Sequence, residues 1–309
     1  MESLRDQQCF QDIPGYHHWV EIQMVEKGYS KDQKYHIITD EQEHLLLRCS
    51  LAKNFFQKEK EYQFINKIEQ TGITMTKPVS FGICNEGQWV YLLLTWVEGV
   101  DLEEVLGNFP VERQYELGRQ AGNILRTIHQ IPLNEDENPI ETKIPKKLLQ
   151  LEKYEHSLRR VENDEKVVEY VKQNIQKIWR ERPTYLHGDF HPGNLIYQSD
   201  GTIGVIDFNR WEIGDPYEEF YKLESFGVEL SIPYCIGQIE SYFNDQVPEQ
   251  FWETLAVYVA HSSLYSIEWA TQFDEEEIMG MVQRYHASIE HFDHYKQIVP
   301  TWYGKNLGR

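Results

Sequence analysis

The amino-acid sequence predicts an α+β protein of two lobes, an N-terminal antiparallel sheet lobe with one main helix and a mainly helical C-terminal lobe. Three observations predict this fold class. Short apolar or alternating runs typical of strands fill the first 97 residues, and apolar residues at helical spacing dominate from about residue 112. A chain of 309 residues is also long for one core. We therefore predict lobes at residues 1–97 and 98–309, joined by a hinge at about residues 95–99.

The first lobe contains five runs with the composition of strands. In the first run, Val20, Ile22 and Met24 alternate with polar residues, as in a half-buried strand. The other predicted strands cover residues 34–39, 44–49, 77–83 and 89–97. Between the third and fourth strands, apolar residues at helical spacing predict a helix over residues 54–71, which a glycine ends.

The second lobe is predicted to be mainly helical. Leu117, Ala121, Ile124 and Ile128 recur at intervals of four, three and four, which places them on one face of a helix. The predicted helices cover residues 112–130, 145–162, 165–182, 217–229, 233–243, 248–273 and 276–295.

The strongest functional signal lies between residues 187 and 208. His187-x-Asp189-x-x-x-x-Asn194 is followed by Asp207-Phe208, which is the order of a kinase catalytic loop and its metal-binding segment. Phosphoryl transfer needs one carboxylate beside the attacking hydroxyl and two oxygen ligands for Mg²⁺ on the phosphates. Asp189, Asn194 and Asp207 can supply these groups.

A hairpin is predicted between the last two of these residues. Residues 195–197 and 203–206 have the composition of short strands, and the Asp200-Gly201 pair between them suits a tight turn. The hairpin would fold Asp207 back against Asn194.

Residues 187–194 and 206–210, together with Gly214-Asp215-Pro216, resemble the aminoglycoside phosphotransferase and choline kinase-like family, which has a protein-kinase-like fold. The resemblance implies a magnesium-dependent kinase that uses ATP or GTP as co-substrate. It also implies that Asp189 is the catalytic aspartate and that Asn194 and Asp207 are the magnesium ligands. Asp215 would cap the next helix.

Two further readings of the loop remain. His187 and His191, four residues apart, could be zinc ligands on one helical face, although Gly188, Pro192 and Gly193 argue against a helix there. The chain could also be a nucleotide-binding pseudokinase that has lost activity, which the complete set of three chemical residues disfavours.

A kinase also needs a cation on its third strand to meet the phosphates and a glutamate on the following helix. Arg48 is the candidate cation, and arginine keeps the charge while changing the geometry. Glu61 is its expected partner and Glu59 the alternative, while Lys53 lies past the strand end. The competing interpretation is that Arg48 faces solvent.

Other nucleotide contacts are expected at the two ends of the sheet. The loop over residues 26–33 could cover the phosphates with Gly28 and Ser30, although one glycine makes the pattern weak. Thr95, Trp96 and Val97 occupy the hinge position, where backbone groups would recognise the base.

The formal net charge of −20 disfavours nucleic-acid binding and favours a cationic small molecule as acceptor. Asp215, Glu218, Glu219 and Trp269 lie in the helical lobe, where relatives of this family place their acceptor pockets. Aromatic residues at helical spacing are more often part of the core.

We therefore predict a small-molecule kinase that phosphorylates a hydroxyl of an aminoglycoside or similar antibiotic. The alternative acceptor is a metabolite such as choline, a sugar, homoserine or an amino alcohol. Scattered cysteines and an N-terminus without a signal-peptide core predict a cytoplasmic protein. We also predict a monomer or homodimer without a membrane segment.

Overall fold

The computed structural model describes residues 9–26 and 31–304. The chain forms two compact units. Unit 1 comprises Met1–Val100 and Asn194–Trp211, and unit 2 comprises Asp101–Gly193 and Glu212–Arg309. The hairpin that carries Asp207 therefore belongs to the N-terminal unit, whereas we predicted one boundary near residue 97.

The bounds of the regular elements agree with the predicted fold class. The strands are β1 (Trp19–Met24), β2 (Gln33–Thr39), β3 (His44–Leu51), β4 (Pro78–Cys84), β5 (Trp89–Thr95), β6 (Val100–Asp101), β7 (Thr184–Leu186), β8 (Leu195–Tyr197), β9 (Ile203–Val205) and β10 (Glu212–Gly214). The α-helices are α1 (Phe55–Glu69), α2 (Leu102–Val105), α3 (Val111–His129), α4 (Ile144–Glu155), α5 (Glu165–Asn174), α6 (Ile232–Tyr242), α7 (Glu249–Ala270), α8 (Glu275–His291) and α9 (Thr301–Gly304). The α+β prediction, with a sheet lobe and a helical lobe, is confirmed.

Unit 1 is built on an antiparallel sheet in the order β1-β2-β3-β5-β4. One face of β2 and β3 packs into an apolar core that includes Tyr35, Ile37 and Leu47. The register pairs Lys34 with Arg48, and residues directly opposite each other in a sheet point to the same face. These two cations therefore share the face opposite the core.

The prediction that Val20, Ile22 and Met24 line the buried face of β1 is only partly right. Ile22 packs against the core, together with Trp19. Val20 is 63% exposed, and Met24 is 42% exposed although the register places it on the same face as Ile22. An irregularity in the β1–β2 register between Trp19 and Glu21 removes Val20 from the alternation, and the sequence alone does not reveal it.

The predicted hairpin is confirmed as β8 and β9. The Gln198 N–H donates to the carbonyl of Thr202 (2.9 Å), and Gly201 has a φ of 85°, in the left-handed region that favours glycine. A Cβ atom on Gly204 would lie 2.7 Å from Cγ1 of Val97, so the hairpin packs tightly against the end of the sheet.

Unit 2 contains the remaining long helices. α3 and α6 cross at three glycines, Gly118, Gly122 and Gly237. A Cβ atom on Gly122 would lie 2.2 Å from the carbonyl oxygen of Gln238, which shows how closely the two helix backbones approach.

Three predicted helices differ in the structure. The segment predicted as one helix over 217–229 forms a 3₁₀ turn, Pro216–Phe220, and a π-helical turn, Leu223–Gly227. All five residues of the first turn are buried. α4 and α5 end at Glu155 and Asn174, before the predicted ends at residues 162 and 182.

Two further predictions concern the cysteines and membrane-spanning segments. Cys9, Cys49, Cys84 and Cys235 are thiols and form no disulfide within the described residues. Within residues 9–26 and 31–304, none of the helices combines the length and the hydropathy needed to cross a membrane.

Candidate active site

The loop that follows β7 is held by a buried glutamate. The backbone N–H groups of His187 and Gly188 donate to the carboxylate of Glu219, at 2.8 and 2.6 Å. Gly188 has a φ of 81°, which favours a residue without a side chain. Nδ1 of the buried His187 accepts a hydrogen bond from the N–H of Asp189 (3.2 Å). These contacts fix the backbone from which the Asp189 side chain extends.

A second contact fixes the Asp189 carboxylate. Nζ of Lys222 donates to Oδ1 of Asp189 at 2.6 Å. The Lys222 side chain is only 7% exposed, and its ammonium lies 5.2 Å from the centroid of the Phe226 ring. Charge-assisted hydrogen bonds of this kind are stronger than neutral ones, and the ammonium favours the ionised carboxylate. Asp189 is therefore held in one orientation, 18% exposed.

His191 lies beside this pair. Its Nε2 is 3.8 Å from Oδ1 of Asp189, and its ring packs on Phe226. Burial lowers the pKa of His191 to about 4, although the charge of Asp189 acts in the opposite direction. The imidazole is therefore neutral at pH 7 and adds no positive charge beside the pair of Asp189 and Lys222.

Asn194 and Asp207 meet at the open end of the hairpin in unit 1. The N–H of Ile206 donates to the backbone carbonyl of Asn194 (3.1 Å). Asp207 has φ 60° and ψ 65°, a left-handed conformation that turns the chain immediately after β9. Carboxylate and amide oxygens are the ligands that Mg²⁺ prefers, so these residues fit that ion.

The structure does not support His187 and His191 as zinc ligands. Within the described part of the chain, no group of three or more His, Cys, Asp or Glu side chains could hold a metal ion. His187 is fully buried, and Pro192–Asn194 forms a 3₁₀ turn.

Arg48 lies in a buried cluster of charges. Its Nη1 donates to Oε1 of Glu61 and its Nη2 to Oδ2 of Asp32, each at 2.6 Å. Lys58 donates to the same two carboxylates, at 2.9 Å to Glu61 and 2.6 Å to Asp32. The predicted pair of Arg48 and Glu61 is present, and Arg48 is 2% exposed, so the solvent-facing interpretation is wrong.

Lys34 is a neighbouring cation that the sequence analysis missed. Its Nζ donates to Oδ2 of Asp207 at 3.2 Å, and its side chain is 12% exposed. Nη1 of Arg48 lies 3.7 Å from Oδ1 of the same aspartate. Strand alternation alone could have placed Lys34 on one of two faces, but only the register with β3 sets it beside Arg48.

The predicted hinge residues lie at the C-terminal end of β5, an interior strand of the sheet. The N–H of Trp96 donates to the carbonyl of His44 (3.0 Å), and the Thr95 hydroxyl accepts from the N–H of Lys77 (2.8 Å). The Trp96 ring lies 4.3 Å from the ring of His36, centroid to centroid. This aromatic pair lies on the same sheet face as Lys34. Gly28 and Ser30, the predicted loop contacts, lie outside the described residues.

Asp215 has a structural role. It is fully buried, and its carboxylate accepts from the N–H groups of Trp179 (2.7 Å) and Tyr217 (3.0 Å) and from the hydroxyl of Tyr258 (2.9 Å). The predicted cap is thus confirmed. Asp215 and Glu219 are both predicted to contact the acceptor; their carboxylates are buried and accept hydrogen bonds from groups of unit 2, and the acceptor contact stays a prediction.

The other two predicted acceptor residues are placed differently. Glu218 is paired with Lys147 on α4. Burial alone would raise the pKa of Glu218, but the charge and hydrogen bond of Lys147, together with the charge of Lys143, outweigh it and leave the pKa below its ordinary value. Trp269 is half-buried on α7, with its ring 4.8 Å from that of Phe273.

The comparison with protein families agrees with this geometry. A model of the phosphotransferase enzyme family, abbreviated APH, matches residues 21–256, which contain the catalytic loop and the hairpin. The chain belongs to the phosphotransferase enzyme family. This phosphotransferase is therefore a small-molecule kinase with an alcohol group as acceptor. A search of curated proteins found no match.

Solved structures of aminoglycoside phosphotransferases and related kinases share the fold. The GDP complex of aminoglycoside 2'-phosphotransferase-IIIa is 15% identical, covers 93% of this chain and 98% of its own, and has a TM-score of 0.67. Amicoumacin kinase hAmiN, in complex with AMP-PNP, Ca²⁺ and Ami, is 14% identical over 92% of both chains, with a TM-score of 0.63. A thermostable mutant of aminoglycoside phosphotransferase APH(4)-Ia with ADP and hygromycin B is 13% identical over 88% and 94%, with a TM-score of 0.65.

Proposed function

We propose that this phosphotransferase moves the γ-phosphate of ATP or GTP to a hydroxyl of an aminoglycoside or similar antibiotic. The observation that carries the proposal is the end of the hairpin in unit 1. There Asp207, a metal-type ligand, contacts Lys34 and lies beside the pair of Arg48 and Glu61. Carboxylates for a metal and cations for phosphates are the two groups that phosphoryl transfer requires from the nucleotide side.

Each residue has a distinct role in the proposed reaction. Asp189 aligns the acceptor hydroxyl and takes its proton as the new bond to phosphorus forms. Asn194 and Asp207 would hold Mg²⁺, which would offset the negative charge of the phosphates. Glu61 orients Arg48, and the hinge residues Thr95, Trp96 and Val97 lie where the base is recognised.

The proposed acceptor is a cationic antibiotic. The structural neighbours include complexes with hygromycin B and with Ami, and the net charge of −20 attracts cations over a distance. Glu218 and Trp269 remain proposed acceptor contacts in unit 2.

A second candidate acceptor is a less cationic metabolite that carries a hydroxyl. The observation that favours it is the neutralisation of acidic side chains in unit 2. Lys147 pairs with Glu218, and Nζ of Lys143 lies 2.5 Å from Oε2 of Glu212. Carboxylates that already have lysine partners attract an added cation less strongly.

A panel of acceptors tests the proposal. The purified protein is incubated with Mg²⁺, ATP or GTP and one acceptor from each class, and the phosphorylated product is identified by mass spectrometry. Asp189→Asn is the matched control, since it keeps the shape of the side chain and removes the base. Product from an aminoglycoside supports the first candidate and product from a neutral or amino alcohol supports the second. If no acceptor gains a phosphate, the proposal fails.

A further inference from the structure

We propose that Lys34 of β2 is the side chain that contacts the nucleotide phosphates directly, a role that kinases usually give to a cation on the third strand. The inference rests on the proposed function, because it assumes a nucleotide at unit 1. Four observations support it: the partners of Arg48, the partner of Lys34, the charge balance of the cluster and the face of β2 on which Lys34 lies.

Arg48, the third-strand cation, is committed to other groups. Both of its terminal nitrogens donate to carboxylates at 2.6 Å, and Lys58 bonds the same two carboxylates. Arg48, Lys58, Asp32 and Glu61 thus form a hydrogen-bonded set of two cations and two anions, which we call the charge quartet, and Nη1 of Arg48 also lies 3.7 Å from Asp207. With a side chain that is 2% exposed, Arg48 is the buried support of this quartet rather than a group at its surface.

Lys34 lies at the edge of the charge quartet. Its side chain is 12% exposed, and the carboxylate that accepts its hydrogen bond is Asp207 (3.2 Å). The register sets it directly opposite Arg48, on the same face. A lysine ammonium on a four-carbon stem can also move further between partners than a guanidinium held at both ends.

The charge balance gives Lys34 a reason to meet a phosphate. Lys34, Arg48 and Lys58 face three carboxylates, those of Asp32, Glu61 and Asp207. If Asp207 held a metal ion, Arg48 would keep its two hydrogen-bonded carboxylates, whereas Lys34 would lose the carboxylate that accepts its hydrogen bond. A mostly buried ammonium without an anion is unfavourable, and a phosphate oxygen supplies the missing charge.

The position of Lys34 along β2 agrees with a nucleotide beside the strand. His36, two residues further on, shares the face of Lys34, and its ring packs on Trp96 at 4.3 Å. Residues two apart in a strand are separated by about 6.6 Å. β2 therefore presents a cation for phosphates and, one step along, an aromatic surface for a base.

Calorimetry with ADP and adenosine tests the inference without any turnover. Lys34→Met should bind ADP roughly ten- to hundredfold more weakly than the wild type and adenosine equally well, because only ADP has phosphates. Lys34→Arg should recover part of the affinity. Lys53→Met is the matched control, an exposed lysine of unit 1 whose loss should leave both affinities unchanged.

A second comparison separates direct contact from an effect through Asp207. Lys34→Met is made in an Asp207→Asn background, and ADP binding is measured in EDTA. A direct phosphate contact predicts that Lys34→Met still weakens ADP binding in that background. No further loss there would mean that Lys34 acts only on Asp207, and the inference would be overturned.

The remaining outcomes are also decisive. If the wild type binds neither ATP, GTP nor ADP, the proposed function itself fails, and with it the assumption made here. If the wild type binds ADP and Lys34→Met binds it equally well, only the inference fails. Melting curves check that each variant is folded, and Lys34→Gln replaces Lys34→Met if the latter unfolds. If both unfold, the lysine is structural and the inference is wrong.

Discussion

Two different side chains hold the backbone of the loop that follows β7 and the carboxylate of Asp189. Glu219 holds the backbone N–H groups of His187 and Gly188, whereas Lys222 holds the carboxylate of Asp189. The two supports can therefore be removed independently. Loss of the first would disturb the loop, and loss of the second would leave the loop in place with a less restrained Asp189.

Removal of the second support should lower the rate of transfer more than substrate binding. We expect Lys222→Met to reduce kcat about ten- to hundredfold, because a charge-assisted hydrogen bond to Asp189 is lost, with the KM for nucleotide changed little. Lys222→Arg should recover part of the rate. Steady-state kinetics with a productive acceptor measure both values. A larger change in KM than in kcat would assign Lys222 to binding.

Asp189 and Asp207 should fail in different ways when truncated. Asp189→Ala removes the group proposed to act on the acceptor hydroxyl, so Mg²⁺-nucleotide should still bind while turnover falls by about 10²–10⁴. Asp207→Ala removes a proposed metal ligand, so nucleotide binding should also lose its dependence on Mg²⁺. Calorimetry with and without EDTA, combined with a turnover assay, distinguishes the two. Near-normal turnover in Asp189→Ala would remove the basis for the assigned role.

Sequence reasoning found the residues whose positions follow from local order. Asp189, Asn194 and Asp207 share one short motif, and Arg48 and Glu61 lie on a strand and the helix that follows it. Lys34 and Lys222 were missed for a common physical reason. The first depends on the register of two strands, and the second is 33 residues from its partner along the chain.

At the scale of elements, the backbones of α3 and α6 approach each other closely where the two helices cross. Glycines on both helices remove the side chains that would keep the backbones apart. Helix interiors usually disfavour glycine by about 1 kcal/mol relative to alanine, so close packing must offset this cost here. The crossing also brings Ser231, the residue before α6, close to α3. There the Ser231 hydroxyl donates to the side-chain carbonyl of Gln114 (2.5 Å).

Alanine at the crossing should therefore destabilise the protein. We expect Gly122→Ala to lower the free energy of unfolding by about 3 kcal/mol, because its Cβ would overlap the carbonyl of Gln238 and the hydroxyl of Ser241. Gly280→Ala on α8 is the matched control, since its Cβ would be 3.5 Å from the nearest atom, in the Arg284 side chain. It should be neutral or stabilising by up to about 1 kcal/mol. Chemical denaturation of both variants measures this, and equal effects would argue against the crossing as the cause.

The pair of Lys147 and Glu218 links α4 to the turn after β10 and should make stability depend on pH. The pKa of Glu218 is lower in the folded protein, so its ion pair stabilises above the ordinary value of 4.5 and is lost as the pH falls through the folded-state pKa. Glu218→Gln should lower the free energy of unfolding by about 3 kcal/mol at pH 7, and this difference from the wild type should become smaller in acid. Denaturation at pH 7 and pH 4, with exposed Glu141→Gln as control, tests this. A constant difference would exclude the ionised pair.

The elements show where local pattern is sufficient and where it fails. α3 was predicted within one residue at each end, because its apolar positions are regularly spaced. The segment from Pro216 to Gly227, predicted as part of one helix, forms a buried 3₁₀ turn and a π-helical turn, a division that the spacing of apolar residues does not reveal. The outward position of Val20 in β1 was missed because the irregularity in register depends on the pairing with β2.

At the scale of the whole molecule, the net charge of −20 sets a long-range field. If the acceptor is cationic, its apparent affinity should weaken as salt increases, because screening acts over about 8 Å at physiological ionic strength. KM for the acceptor is measured from low to high NaCl, with an uncharged acceptor as control. Efficient use of neutral acceptors, without salt dependence and with aminoglycosides ignored, would contradict the proposed acceptor class.

The discontinuity of unit 1 has a consequence for protein synthesis. The ribosome makes residues 1–100 first, but the hairpin that completes the unit ends only at Trp211. At about 5–20 residues per second, the nascent chain waits on the order of ten seconds for this hairpin. During that time the backbone of Thr74 and Thr76 lacks its partner, Val205, and Lys34 lacks Asp207. The protein thus emerges with its proposed nucleotide-binding face incomplete and acquires it only after most of the intervening helices have been synthesised.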